Sequence, residues 1–238
     1  MIHRLPLCFG AGRETALRGG FCFFGTRGVT VGDKKGRAIL YVDGFNLFYG
    51  SLKGTPYRWL DLRHLAQLML PDQDVIAVKY FTAIVDSPSG SVKQQLYMAA
   101  LEQSGVQIYR GHFLSHAKLR PLKAACAQCG KTKVEVIITE EKGTDVNLAT
   151  HLVYDACSDA FDVAAVLSND SDLVTPIAFA REKCRKVVGV INPQRNPARA
   201  LLKAASFYKK LRTGVLAASQ LPSVVEHAGR RLEKPRGW

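Results

Sequence analysis

Residues 163–172 read VAAVLSNDSD, an apolar run of five residues followed directly by a polar segment with two carboxylates. A continuous apolar run of this length is typical of a strand that is buried on both faces of a parallel sheet. Asp170 and Asp172 come where that strand ends and the next helix begins. Ser168 or Asp170 could equally be a helix N-cap, because Ser and Asp side chains accept hydrogen bonds from the free N–H groups there. Taken alone, the stretch favours capping.

Strand and helix patterns alternate on both sides of this stretch. The predicted strands cover 38–42, 75–85, 106–113, 163–167 and 187–191, with a further extended segment at 134–139. The predicted helices cover 62–70, 92–103, 145–156, 173–184 and 197–208. This order predicts an α/β fold, a three-layer α/β/α sandwich around a central, mainly parallel sheet.

The domain defined by these patterns covers residues 37–212 and contains an insertion at about 114–133 that is polar and basic. Residues 1–36 hold six basic side chains, two acidic ones and eight glycines, without helical or strand periodicity. We expect this segment to be disordered or to come from an over-extended translation start, with an organelle-targeting segment as the alternative. Residues 213–238 are predicted to form a basic C-terminal tail.

Composition is ordinary for one globular domain, with 47% apolar and 22% charged residues among 238. The net charge of +13 and the pI near 9.6 are less ordinary. The excess is not confined to the ends, because the middle of the chain carries 23 basic against 16 acidic side chains. A positive field attracts phosphate backbones, so RNA is the predicted partner.

Six cysteines, scattered from position 8 to position 184, are too few for a disulfide framework and indicate a reducing compartment. No segment approaches the roughly 20 apolar residues needed to span a bilayer. The sequence therefore predicts a cytoplasmic protein without membrane contact. A homodimer that extends the basic surface is compatible with this sequence.

Acidic side chains follow other predicted strand ends as well. Asp43 closes the first strand, and Asp145 opens the helix after the insertion. Ligands of open parallel sheets bind outside the carboxyl ends of the strands, where these acids and the pair Asp170 and Asp172 fall. Carboxylates gathered at one edge repel one another unless a cation lies among them, and Mg²⁺ or Mn²⁺ prefers such oxygen ligands. A basic protein with such an acidic pocket is typical of metal-dependent phosphodiester cleavage.

Three blocks of the sequence carry a family resemblance: YVDGFNL at 41–47, EEKGTDVNLA at 140–149 and LSNDSDL at 167–173. They resemble the signature blocks of NYN domains of the LabA-like group, relatives of PIN-domain nucleases, and the likeness spans residues 37–212. It implies a PIN-like fold that cleaves RNA, with Asp43, Asp145, Asp170 and Asp172 as catalytic groups that bind Mg²⁺ or Mn²⁺. It further implies substrate contacts from Asn46, Lys142, Ser168 and Asn169, for which loop and capping roles are the alternative.

The function predicted from these observations is a metal-dependent endoribonuclease; activity on single-stranded DNA is a variant of it. The alternative is a non-catalytic RNA-binding or regulatory module on a PIN-like scaffold. Other chemistries fit less well. Asp43 is followed by Gly44-Phe45 without the second Asp of dehalogenase-type phosphatases, and Gly44 alone is too little for a phosphate-binding loop.

Cys126 and Cys129, followed by Gly130, have the spacing of half a zinc knuckle. His112 and His116 precede them and would complete a structural Zn²⁺ site of the Cys₂His₂ type. Free thiols in a mobile loop are the alternative.

Overall fold

The structure is a computed structural model that describes residues 35–84, 88–227 and 229–238. The predictions for residues 1–36 fall almost entirely outside the described residues. Within the described ranges, no helix is both long and apolar enough to cross a membrane. The cytoplasmic location stays a prediction.

Six parallel strands form the central sheet in the order β3-β2-β1-β6-β7-β8. Their bounds are Arg37–Asp43 for β1, Asp74–Thr82 for β2, Val106–Arg110 for β3, Val163–Leu167 for β6, Val187–Asn192 for β7 and Phe207–Lys210 for β8. The helices are α1 at Gly44–Leu47, α2 at Leu62–Met69, α3 at Pro88–Gln103, α4 at Thr144–Cys157, α5 at Val174–Glu182, α6 at Arg199–Ala204 and α7 at Thr213–Ala218. A π-helical turn at Phe48–Leu52 continues α1, and a 3₁₀ turn at Ser171–Leu173 precedes α5.

Apolar side chains on the two faces of the sheet build two separate cores. One core holds residues of α2, α3 and α7, for example Leu65, Leu101 and Leu216. The other holds residues of α4, α5 and α6, for example Leu152 and Ile177. The three-layer α/β/α fold predicted from the sequence is therefore confirmed.

In strand β1, the alternation of side chains decides to which face of the sheet Asp43 points. Ala38, Leu40 and Val42 belong to the first core, whereas Ile39 and Tyr41 belong to the second. Side chains of a strand alternate between the faces, so Asp43 points to the face that α4 and α5 cover.

The insertion is mostly an arm, which we define as the antiparallel hairpin of β4 (His112–Pro121) and β5 (Lys133–Lys142). The prediction of one strand at 106–113 is wrong in this respect, because β3 ends at Arg110 and β4 starts at His112. Gly111 separates them: a Cβ there would lie 2.6 Å from Glu141 Oε1 and from the Lys142 carbonyl oxygen. Only a glycine lets the chain pass this close to the start of α4.

The predicted helix at 197–208 is also wrong at its end. α6 stops at Ala204, and Phe207 begins the edge strand β8. A Cβ on Gly189 of β7 would lie 2.1 Å from the Phe207 ring, so the ring occupies the space above that glycine. This close packing on the sheet, which no local pattern reports, favours a strand over a further helical turn.

Residues 213–238 are folded, which corrects the prediction of a basic tail. They form α7 and a hairpin of β9 (Val224–His227) and β10 (Arg230–Glu233). Leu216, Leu221 and Leu232 are buried in the first core. Their wide spacing between charged residues conceals this apolar face in the sequence.

Candidate active site

The candidate site lies at the point where the order of the strands reverses. The chain passes from β1 outward to β2 and β3, and from β6 outward to β7 and β8, so β1 and β6 are neighbours in the middle. Helices that leave two such strands in opposite directions open a crevice at their carboxyl ends. Asp43 ends β1 and Ser168 follows β6, so both lie at this crevice.

Asp43 is buried and held by three hydrogen bonds. Its Oδ1 accepts from the Asn46 backbone N–H at 2.9 Å, and its Oδ2 accepts from Asn46 Nδ2 at 2.7 Å and from Ser168 Oγ at 2.8 Å. Burial raises the pKa of Asp43, these hydrogen bonds oppose the rise, and the charge of Asp170 adds to it. A carboxylate accepts about four hydrogen bonds. One position, on Oδ1, is thus left for a ligand.

The segment after β6 combines capping with proximity to Asp43. Ser168 Oγ accepts from the Asp170 N–H at 3.0 Å while it donates to Asp43. Asp170 Oδ1 accepts from the Asp172 N–H at 3.0 Å and so caps the 3₁₀ turn. The capping interpretation is confirmed, and Asp170 is nevertheless near enough to raise the pKa of Asp43. Asp172 is exposed on the turn.

Asp145 lies in the first turn of α4, half buried. Gly143, with φ at 92°, turns the chain into the helix, and Glu141 Oε1 accepts from the Thr144 N–H at 2.9 Å. The pKa of Asp145 is raised to about 6, first by burial and then by the charges of Asp43, Asp170, Glu141 and Asp172. The charges of the other three predicted aspartates therefore reach Asp145. The structure adds Glu141, which sequence reasoning passed over although it lies in the same block as Asp145.

Asn169 has a structural role. Its Nδ2 donates to Gln194 Oε1 at 2.9 Å and to the Asn196 carbonyl at 3.0 Å, and its Oδ1 accepts from the Ala198 N–H at 2.7 Å. These bonds hold the loop after β7 against the site, and the substrate contact of Asn169 stays a prediction.

Gln194 ties this loop to the residue that positions Asp43. Its Nε2 donates to Asn46 Oδ1 at 3.0 Å, which fixes the Asn46 amide whose nitrogen binds Asp43. Gln194 lies in no motif, and sequence reasoning missed it. Lys142, by contrast, is exposed at the end of β5 and pairs with Glu140 at 2.9 Å.

Among the described residues, no three His, Cys, Asp or Glu side chains are grouped as a ready set of metal ligands. The acidic site nevertheless fits Mg²⁺ or Mn²⁺, because Mg²⁺ keeps several waters and binds through only one or two carboxylates. Repulsion from the neighbouring acids adds to the effect of burial on the pKa of Asp145, and a cation would relieve this repulsion.

The two predicted histidine ligands do not lie beside the cysteines. His112 and His116 are on β4, paired with Lys142 and Ile138, whereas Cys126 and Cys129 lie beyond the far ends of both strands. At about 3.3 Å per residue, His112 is roughly 30 Å from Pro121 at the end of β4. Hence the structure does not assemble the Cys₂His₂ set.

A pocket of about 330 Å³ opens on the opposite side of the β1 end from the acids. Gly44, next to Asp43, is one of its walls. Burial raises the pKa of Tyr80, another wall, to about 12, and the charge of Asp43 adds to this rise. The walls also include Arg58 and Lys93, and Arg58 Nε is buried without a hydrogen-bond partner among the described residues. The aromatic walls are Phe45, Phe48, Tyr49, Tyr80, Tyr97 and Trp238.

A sequence profile of the NYN domain family matches residues 37–212. The chain belongs to the NYN domain family. This span is the domain predicted from the sequence, and NYN domains are part of a nuclease superfamily with a PIN-like fold. The LabA-like subgroup stays a prediction.

One relative of this NYN protein is 6-hydroxy-3-succinoylpyridine 3-monooxygenase HspA of Pseudomonas putida (strain DSM 28022 / S16). It is 30% identical over 241 residues, which cover 85% of this chain and 75% of the relative. Among solved structures, a protein of unknown function, VPA0982 from Vibrio parahaemolyticus RIMD 2210633, has a TM-score of 0.52 at 17% identity. The match covers 76% of this chain and 96% of that protein, and it shows the fold alone.

Proposed function

We propose that this NYN protein is a metal-dependent ribonuclease. The observation that carries the proposal is the group of carboxylates at the crevice between β1 and β6, where burial first, and then repulsion from the neighbouring acids, raises the pKa of Asp145 to about 6. A stable fold gains nothing from such repulsion, so a ligand of positive charge accounts for it. The net charge of +13 then supplies the attraction for a polyanionic substrate.

Each acidic residue has a role that follows from its surroundings. Asp43, with one open position on Oδ1, and Asp170 would hold Mg²⁺ or Mn²⁺, which when bound lowers the pKa of water and stabilises charge on phosphate oxygens. Asp145 has a pKa near working pH, and its carboxylate takes the proton of the attacking water.

Asn46 and Ser168 position Asp43 through their hydrogen bonds. Lys142 and Asp172, both exposed, face solvent where the substrate backbone would arrive.

The test is cleavage of single-stranded and structured RNAs by the purified chain with Mg²⁺ or Mn²⁺. Asp43→Asn and Asp170→Asn should each abolish cleavage, as should EDTA. Asn46→Ala should lower the rate by about 10- to 100-fold, the usual effect of removing a residue that orients a ligand. Asp162→Asn is the matched control, because Asp162 pairs with Arg37 just before β6, at the amino ends of the strands and thus opposite to the site.

Cleavage that survives both aspartate substitutions would overturn the proposal. RNA binding without turnover, with either metal, would instead favour the non-catalytic RNA-binding module. That module predicts salt-sensitive binding that the aspartate variants leave unchanged or strengthen.

A second candidate function comes from the pocket beside Asp43 and from the relative. HspA is named for an oxygenation of a hydroxypyridine that carries an acidic side chain. The pocket here combines aromatic walls with Arg58 and Lys93, a lining that suits a planar ring with a carboxylate. Calorimetry with 6-hydroxy-3-succinoylpyridine, and oxygen uptake with a reduced nicotinamide or flavin, would test it. Binding that is lost in Arg58→Ala, together with oxygen uptake, would favour this candidate; heat of binding absent at millimolar ligand would exclude it.

A further inference from the structure

The tip of the arm, residues 122–132, is an ordered turn built around two cysteines. Hydrogen bonds from Leu122 N to the Thr132 carbonyl at 2.8 Å and from Cys126 N to the Lys131 carbonyl at 2.9 Å continue the hairpin past its strands. Gly130, with φ at 70°, donates to the Cys126 carbonyl at 2.8 Å and closes the turn. Both cysteines are free, and Cys129 is exposed.

The turn directs backbone donors at Cys126. The backbone N–H groups of Cys129 and Gln128 donate to the Cys126 sulfur. Two cysteines separated by two residues, with N–H groups aimed at the first sulfur and a glycine behind the second, are the arrangement in which proteins bind zinc with a pair of thiolates.

This pair is only half of a zinc site. Structural zinc takes four ligands in a tetrahedron. Among the described residues there is no third His, Cys, Asp or Glu close enough to join the two thiols. The arm projects the tip away from the rest of the fold, since nearly every residue of β4 is exposed.

We propose that Cys126 and Cys129 bind Zn²⁺ together with the same pair from a second copy of the chain, so that two arms are joined at their tips by a Cys₄ site. A tip at the end of an arm roughly 30 Å long reaches another copy without a clash between the two domains. Four thiolates around Zn²⁺ carry a net charge of −2. Residues 118–133 hold five Lys and Arg and no Asp or Glu, so each tip offsets this charge. The site is independent of the nuclease proposal.

The test uses the full chain, kept reduced with a phosphine and passed through gel filtration with zinc. We expect one zinc per two chains and a light-scattering mass twice that of the 26.2-kDa chain. Chelation, Cys126→Ser or Cys129→Ser should remove the zinc and halve the mass. Cobalt in place of zinc should give the charge-transfer absorption of thiolate ligands, and only in the dimer.

Two double variants serve as controls. Cys157→Ser with Cys184→Ser removes the other described thiols, which lie 3.4 Å apart near the ends of α4 and α5, and should leave zinc and mass unchanged. Cys8→Ser with Cys22→Ser asks whether the segment outside the described residues supplies the missing ligands; it too should change neither. The proposal is overturned by one zinc per chain in a monomer, by zinc loss in the Cys8 and Cys22 variant, by a dimer that persists without Cys126, or by wild-type protein that retains no zinc.

Discussion

Asp145 is the residue at which burial and like charge act on the same carboxyl group. Its pKa of about 6 in the folded protein lies above the ordinary value of 3.8. At pH values between these two pKa values, the folded state therefore keeps a proton that the unfolded state has released. The stability this proton provides is complete below about pH 4 and is lost as the pH rises through about 6.

Asp145→Asn should accordingly raise the melting temperature at pH 7 in EDTA and leave it unchanged at pH 4. We expect about 2–4 °C, the shift that about 1 kcal/mol produces in a chain of this length once the half exposure of Asp145 is allowed for. Thermal melts at the two pH values measure it. Asp162→Asn should have the opposite sign at pH 7, because the Arg37 guanidinium lowers the pKa of Asp162 to about 2. A wild-type melting temperature that Mn²⁺ does not raise at pH 7 would contradict a cation at this site.

Lys79 and Asp155 form a buried ion pair of 2.6 Å below the same face of the sheet, and the Tyr41 hydroxyl donates to Asp155 at 2.6 Å. Asp155→Ala should cost about 3–5 kcal/mol, because it leaves a buried ammonium group without its partner. The double variant Lys79→Met with Asp155→Leu should be much nearer to wild type. Urea unfolding compares them. A single variant as stable as the double would mean that water reaches Lys79.

At the residue scale, the sequence predicts the acidic residues of the site better than the residues that position them by hydrogen bonds. Asp43, Asp145 and Asp170 are recognisable because each follows a strand end or begins a helix. Gln194 is not, because its bond to Asn46 joins residues 148 positions apart. Only the fold shows such a contact.

Among the elements, the arm presents positive charge to solvent. Lys118 and Arg120 lie on one face of β4, two residues apart and exposed. If the arm grips the RNA backbone, Lys118→Gln with Arg120→Gln should reduce the slope of log binding constant against log salt by about 1.4, or 0.7 for each lost phosphate contact on a single strand. Filter binding at several salt concentrations measures the slope.

The matched control is Lys183→Gln with Arg185→Gln, which removes the same charge just before β7, at the edge of the sheet away from the site. Its slope should stay near that of wild type. Equal slopes for the two double variants would mean that net charge alone, and not the arm, attracts RNA.

The bounds of the central strands, which are buried on both faces, were predicted closely. A continuous apolar run marks both ends of such a strand. The bounds of β6 match the prediction, and β7 is one residue longer. The break at Gly111 and the strand at Phe207 were missed, since both depend on what lies opposite in space: the start of α4 and the bare backbone of Gly189.

On the scale of the whole molecule, the last residues close the first core. The Trp238 ring packs edge-on against Trp59 with centroids 6.4 Å apart and against Tyr97 at 5.7 Å. Trp238→Ala should lower the free energy of unfolding by about 1–3 kcal/mol, since each aromatic pair contributes about 0.5–1.5 kcal/mol. Denaturant unfolding measures the loss, and Trp238→Phe should recover most of it. No loss would mean that the chain end does not pack there in solution.

Trp59 and Trp238 are the two tryptophans of the chain, and they are in contact with each other. All intrinsic tryptophan emission of the protein therefore originates in one place, with Trp238 in the wall of the aromatic pocket and Trp59 fully buried behind it. A molecule that enters the pocket should quench or shift this fluorescence directly. A cation among the carboxylates lies on the other face of the sheet and should leave the fluorescence nearly constant. A single optical titration therefore distinguishes a ligand of the aromatic pocket from a cation bound at the carboxylates.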